Sequence, residues 1–115
     1  MKTDSCSLSI VIPVYRSAGT LPELVDRVNR VLDRLPGPSE ILLVNDGSPD
    51  SSWEVIGSLA AAQPRLRGIN LMKNYGQHSA LLAGIMASRG GMIVTLDDDL
   101  QTPPEEIPRL LDELN

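Results

Sequence analysis

The chain has 115 residues, 42% of them hydrophobic and 22% charged, with a formal net charge of −5. That is one small domain with enough apolar material for a core, and it excludes collagen-like, disordered and disulfide-scaffold classes. An acidic chain whose basic residues are scattered is a poor partner for nucleic acid.

The first element is Leu8 to Val14, short, β-branched and interrupted by Pro13, which reads as a buried strand. A helix follows, with Thr20 and Glu23 spaced as a capping box. Leu21, Leu24, Val25, Val28, Val31, Leu32 and Leu35 recur at a spacing of three to four and form one apolar face. Pro36-Gly37-Pro38 ends it. Ile41 to Val44 is the second strand, and it runs into the polar turn Asn45 to Asp50. Ser51 and Glu54 then have capping-box spacing, with Asp50 as a rival cap, and Trp53, Ile56, Leu59 and Ala60 form an inner helix face.

A weaker third strand is expected over Gly68 to Met72, and a third helix over Gly76 to Ser88. Small residues in that helix, Ala80, Ala83, Gly84 and Ala87, permit close packing. Met92 to Leu96 is the fourth strand and feeds directly into Asp97-Asp98-Asp99-Leu100-Gln101. A last helix begins near Pro103, with Thr102 and Glu105 as a third capping box and Ile107, Leu110, Leu111 and Leu114 facing inward.

The order is βαβαβαβα. Continuous apolar strands alternating with amphipathic helices predict a three-layer α/β/α fold around a four-stranded parallel sheet. Residues 1–7 are expected to be a tail and 8–115 the domain. Right-handed crossovers bring the loops after all strands to one edge, where ligands of open α/β sheets bind.

Three aspartates in succession at the end of a buried strand repel one another. A divalent cation relieves that. In extended geometry Asp97, Asp99 and Gln101 point one way and Asp98 the other. Two carboxylates and an amide oxygen are hard ligands suited to Mg or Mn rather than Zn. The alternative is an acidic turn capping the next helix. Asp46-Gly47 is a common turn dipeptide, yet it sits where other doubly wound folds place an acid on the ribose. Neither the dinucleotide glycine fingerprint nor a P-loop is present. His78 reads as a polar residue at a helix start, Tyr75 and Trp53 as packing residues. Arg27, Arg30, Arg34, Arg65, Arg67 and Arg109 read as solvated positions.

The lone Cys6 excludes an internal disulfide and fits a reducing compartment. No run approaches the ~20 apolar residues of a membrane span, and the polar start is unlike a signal peptide. A cytoplasmic domain is therefore expected.

Four stretches resemble the family 2 glycosyltransferases of GT-A fold, of the polyprenyl-phosphate sugar transferase type. They are Val11 to Tyr15, Ile41 to Asp50 (ILLVNDGSPD), Asn74 to Ala80 (NYGQHSA) and Thr95 to Glu106 (TLDDDLQTPPEE). Their order and spacing match the family from Leu8 to the end. The last two look most like the undecaprenyl-phosphate 4-deoxy-4-formamido-arabinose transferase branch. The resemblance implies that Pro13 and Tyr15 line a nucleotide base pocket, with Val44 and Asp46 at the base and ribose. It implies that Asp97 and Asp98 contact the ribose or phosphate side and that Asp99 and Gln101 hold a divalent metal, Mg or Mn. Asp97 and Asp99 are the catalytic candidates. The first loop departs from the family pattern, reading Tyr15-Arg16-Ser17 where many members carry an acid.

The activity implied is inverting, metal-dependent transfer of a sugar from a nucleoside-diphosphate sugar, UDP ahead of GDP, to a polyprenyl phosphate. The parent would work at the cytoplasmic face of a membrane. Family members continue well past this length, so the chain is expected to be the Rossmann-like donor-binding half, inactive alone. The competing reading is a non-catalytic nucleotide-binding or inert α/β fragment. A phosphotransfer receiver domain would need an aspartate after the third strand, where Lys73-Asn74 stand instead.

Overall fold

A computed structural model describes residues 6–114. The elements are β1 (Cys6–Val14), α1 (Leu21–Asp33), β2 (Ser39–Asn45), α2 (Ser52–Ala62), β3 (Leu66–Asn70), α3 (Gln77–Ala87) and β4 (Gly90–Thr95). A 3-10 turn, Pro104–Glu106, then leads into α4 (Ile107–Leu114). The sheet is parallel throughout, in the order β3-β2-β1-β4.

That order explains the layers. The chain steps from β1 to β2 to β3 in one direction, then crosses back to the far side of β1. Crossovers of one hand that travel in opposite directions leave their helices on opposite faces. Ile10, Ile12, Val14, Ile41 and Leu43 thus pack with Leu21, Leu24, Val25, Val28 and Leu32 of α1, Ile56 of α2 and Ile107 of α4. α3 lies against β1 and β2 on the other face, over Val11 and Val44, which a Cβ at Gly84 would meet at 2.4 and 3.0 Å. Position 84 therefore has to be small. With its small-residue stripe on the sheet, α3 turns Leu82, Ile85 and Met86 outward, Met86 being 78% exposed.

Several expectations shift. β1 begins at Cys6, two residues inside the expected tail, while residues 1–5 lie outside the described residues. β3 ends at Asn70 and excludes Leu71 and Met72. No capping box forms: neither Thr20 nor Ser51 caps its helix through its side chain, and Thr102 is not the cap of the last helical segment. That segment opens with a 3-10 turn because Pro108 lacks the N–H that an α-helical first turn would send to the Pro104 carbonyl. The Pro104 carbonyl takes the Ile107 N–H instead. The side chain of Leu114 lies outside the described residues.

At the amino end of the sheet Glu40 is buried. It accepts hydrogen bonds from the Ser9 hydroxyl (2.6 Å), the Arg89 N–H (2.6 Å) and the Arg67 guanidinium (2.8 Å). Arg67 is therefore not a solvated position: it also donates to the Ala87 carbonyl at 2.8 Å. Burial alone would raise the pKa of Glu40, but the bonds from Ser9, Arg89 and Arg67 outweigh it and hold the carboxyl below its ordinary value.

Candidate functional site

The crossing back over β1 makes a switch point between β1 and β4, which is where open α/β sheets leave a crevice. Pro13 opens it. The ladder between β1 and β4 ends at Val11 and Thr95, with a last bond from the Leu96 N–H to the Val11 carbonyl at 3.1 Å. By the alternation of the strand, Pro13 is the next residue to face β4, and it has no N–H with which to continue. On the other side β1 stays paired with β2 as far as Val14 and Asn45. The chain after Leu96 is thereby released from β1.

A cavity of about 310 Å³ fills the gap, lined by Pro13, Val14, Tyr15, Asp46, Gln77, Asp97, Asp98, Asp99 and Gln101. Seven of the eight expected site residues are among them. Val44 is not. It is fully buried beneath α3, because its place in β2 directs it to the sheet face rather than to the edge.

Asp46 is nearly buried and its carboxylate spans two backbone donors, the Tyr75 N–H at 2.9 Å and the Gly76 N–H at 3.1 Å. It thus holds the entry to α3 against the end of β2, and Gln77, the first residue of α3, comes to the cavity wall. Gln77 was not expected there. Its signal is its place in NYGQHSA directly after the segment that Asp46 grips. Tyr75 is 53% exposed, with the Lys73 ammonium 5.3 Å from its ring centre, so it is not a packing residue. Gly47, at φ +67°, lets this crossing happen: a Cβ there would lie 2.3 Å from the backbone of Lys73 and Asn74.

Strand geometry does not persist through the aspartates. β4 ends at Thr95, a turn begins at Asp98, and Leu100 takes φ +65° with its side chain against the core. Asp98 therefore does not point away from its neighbours' side; all three aspartates line the cavity. The Asp98 carboxylate is taken up by the first loop, accepting the Tyr15 N–H at 2.9 Å and the Ser17 hydroxyl. Asp99 accepts the Gln101 N–H at 3.1 Å across the turn.

The first loop is held along its length. The N–H groups of Arg16, Ser17 and Ala18 go to Ser48 Oγ (3.0 Å), Ser52 Oγ (2.9 Å) and Asp50 Oδ2 (3.5 Å). Bonds from Ser52 and Ala18 keep Asp50 below its ordinary pKa. Arg16 sits at φ +55°, a strained region for a non-glycine residue, with its guanidinium 5.4 Å from the centre of the Tyr15 ring. A larger hollow, about 620 Å³, opens near Asn29, Asp33, Gln63 and Arg65. Its polar side chains bond to one another: Arg65 to Asn29 and Asp33, Asn29 to Gln63.

With this geometry in place, the comparisons with known proteins are specific. Residues 9–115 match glycosyl transferase family 2. The chain belongs to that family. Curated relatives named undecaprenyl-phosphate 4-deoxy-4-formamido-L-arabinose transferase are close in sequence. The one from Aeromonas hydrophila is 47% identical over 111 residues, covering 96% of this chain and 34% of the relative. The one from Sodalis glossinidius is 49% identical over 113 residues, covering 97% and 34%. The chain thus spans about a third of the length of the curated relatives it matches. Among solved structures, a mannosyltransferase from Pyrobaculum calidifontis, in complex with GDP-Man and Mn2+, has a TM-score of 0.74 at 20% identity, covering 90% of this chain and 30% of that one. A mycobacterial protein has a TM-score of 0.73 at 24% identity, covering 95% and 36%. These likenesses establish the fold, the α/β architecture of GT-A glycosyltransferases. Among the described residues, no helix of this family 2 chain is long and apolar enough to cross a membrane.

Proposed function

We propose that this chain is the donor-binding part of a glycosyltransferase that moves a sugar from a nucleoside-diphosphate sugar, UDP ahead of GDP, to a polyprenyl phosphate. The observation that carries the proposal is the convergence of Pro13, Tyr15, Asp46, Asp97, Asp99 and Gln101 on one cavity at the switch point. The names of the curated relatives support the lipid phosphate as acceptor.

In this reading Pro13 and the half-exposed Tyr15 ring wall the base, and Asp46 stands at the base and ribose. Asp97 meets the ribose or phosphate side. Asp99 and Gln101 would hold Mg or Mn, and their oxygens fit a hard dication. Among the described residues no group of three or more acids, histidines or cysteines is arranged to hold a metal alone, so the donor's diphosphate and water would complete the ion's coordination. A bound divalent ion offsets the charge that develops on the departing nucleoside diphosphate. The acceptor's phosphate oxygen is already ionised at neutral pH, so the site needs no general base. Its electron pair forms the new bond at the anomeric carbon as the bond to the diphosphate breaks, which inverts that centre. The working place of such an enzyme is the cytoplasmic face of a membrane.

Titration calorimetry of the chain with UDP and GDP, with and without Mn2+, tests the proposal. Binding is expected to strengthen with Mn2+, and Asp99→Ala is expected to abolish that gain. No binding of either nucleotide by the folded chain overturns it. Because the chain spans about a third of its relatives, sugar transfer to polyprenyl phosphate by this chain alone is expected to be blank.

A further inference from the structure

We propose that Asp98 is a positioning residue that ties the base side of the cavity to its acidic side, rather than a ligand of donor or metal. The proposal rests on the donor-site reading above. Four successive backbone N–H groups, from Tyr15 to Ala18, each donate to a side chain. Three of the acceptors, Ser48, Ser52 and Asp50, come from the segment after β2. The fourth, Asp98, comes from the acidic loop. Thr20 adds a second tie, donating its hydroxyl to the Asp98 carbonyl at 2.9 Å.

Two physical consequences follow. The first concerns charge. The N–H of Tyr15 and the hydroxyl of Ser17 converge on one oxygen of Asp98 and offset its negative charge. The three successive acids are therefore not equivalent: all line the cavity, but one oxygen of Asp98 is taken by donors of the first loop, whereas Asp99 is bonded across its own turn. The second concerns shape. Arg16 holds a strained φ of +55°, which persists only where neighbours over-determine it. Asp98 anchors the residue immediately before it, and so sets where the Tyr15 ring stands. A carboxylate on the phosphate side thus orders the wall on the base side.

Amide exchange and nucleotide titration on Asp98→Ala, Asp98→Asn and Asp99→Ala test this. Without ligand, Asp98→Ala is expected to speed exchange of the Tyr15 amide by about tenfold or more. The amides of Tyr75 and Gly76, held by Asp46, should be unchanged, which shows that the fold is intact. Asp98→Asn keeps one acceptor oxygen and should retain most of the Tyr15 protection, and Asp99→Ala should retain all of it. Affinity for UDP or GDP should fall roughly tenfold in Asp98→Ala, by the same factor with and without Mn2+. Unchanged Tyr15 exchange in Asp98→Ala overturns the proposal. So does a loss of affinity seen only with Mn2+, since that is the signature of a metal ligand. A wild-type chain that binds neither nucleotide overturns the donor-site reading instead, and Tyr15 exchange still decides whether Asp98 holds the loop.

Discussion

The carboxylate of Asp46 receives the N–H of Gly76 at 3.1 Å, joining the end of the second strand to the start of the third helix across 30 positions of sequence. With the neighbouring bond from Tyr75, it uses both oxygens of one acid. Asn at this position offers one acceptor oxygen and turns an NH2 toward the other donor. Asp46→Asn is therefore expected to destabilise the fold by about 1–2 kcal/mol and to speed exchange at one of the two amides selectively. Urea denaturation and amide exchange measure the two effects.

Gly47 carries the sharper steric demand. A methyl group there would meet backbone, not a side chain that can rotate away, at 2.3 Å, and the φ of +67° is itself unfavourable for alanine. Gly47→Ala is expected to cost about 2–4 kcal/mol and to displace the segment before α3. Loss of nucleotide binding should accompany it, because Gln77 and Asp46 then part. Denaturation midpoints and titration of the same variant check this.

Gly84 presents the opposite case, since its would-be neighbours are side chains. A Cβ there meets Val11 Cγ1 at 2.4 Å. The gain in helix propensity, about 1 kcal/mol, is outweighed by overpacking, about 1–3 kcal/mol. Gly84→Ala should thus be destabilising in the wild-type background and neutral or stabilising in a Val11→Ala background. A double-mutant cycle read by thermal or urea denaturation distinguishes this from a backbone effect.

Glu40 predicts an acid dependence. Its folded pKa lies below the ordinary 4.5. The stabilisation is therefore complete above 4.5 and is lost as pH falls through the lower folded value. Glu40→Gln should flatten the fall in stability below that pH. At neutral pH it should cost about 2 kcal/mol, since Arg67 loses its ionic partner and keeps only neutral acceptors. Stability measured from pH 3 to 7 on both proteins tests the sign.

The sheet and the edge where its loops meet were readable because strands buried on both faces leave little but aliphatic residues in the chain, and Ile10 to Ile12 and Ile41 to Val44 show that run. The convergence of the loops followed from handedness alone. What failed were inferences that assumed a residue's nearest neighbours in sequence would be its partners. Thr20 had the spacing of a local cap, yet its hydroxyl goes to Asp98 and Ser17 carbonyls. Asp98 was assigned a direction from strand alternation, and the turn anchored by Leu100 removed the strand. Val44 came instead from family likeness, and the structure places its side chain in the core under α3, outside the cavity lining. The place of Gln77 and the grip of Ser48 and Asp98 on the first loop depend on contacts 29 to 83 residues apart, which no local pattern carries.

The strand that floors the cavity, like β2, has a neighbour on each side. β1 is bonded to β2 along its whole second half and to β4 up to Val11. Edge strands can fray singly, but a central strand opens only when the sheet comes apart. The cavity wall at Pro13 and Val14 thus belongs to the slowest-opening part of the molecule, while the acidic loop, cut loose from β1 by a proline, belongs to a faster one. A ligand seated across both would be held at one end by the lifetime of the whole fold and at the other by that of a turn tied to the first loop through Asp98. Its departure should begin at the aspartates.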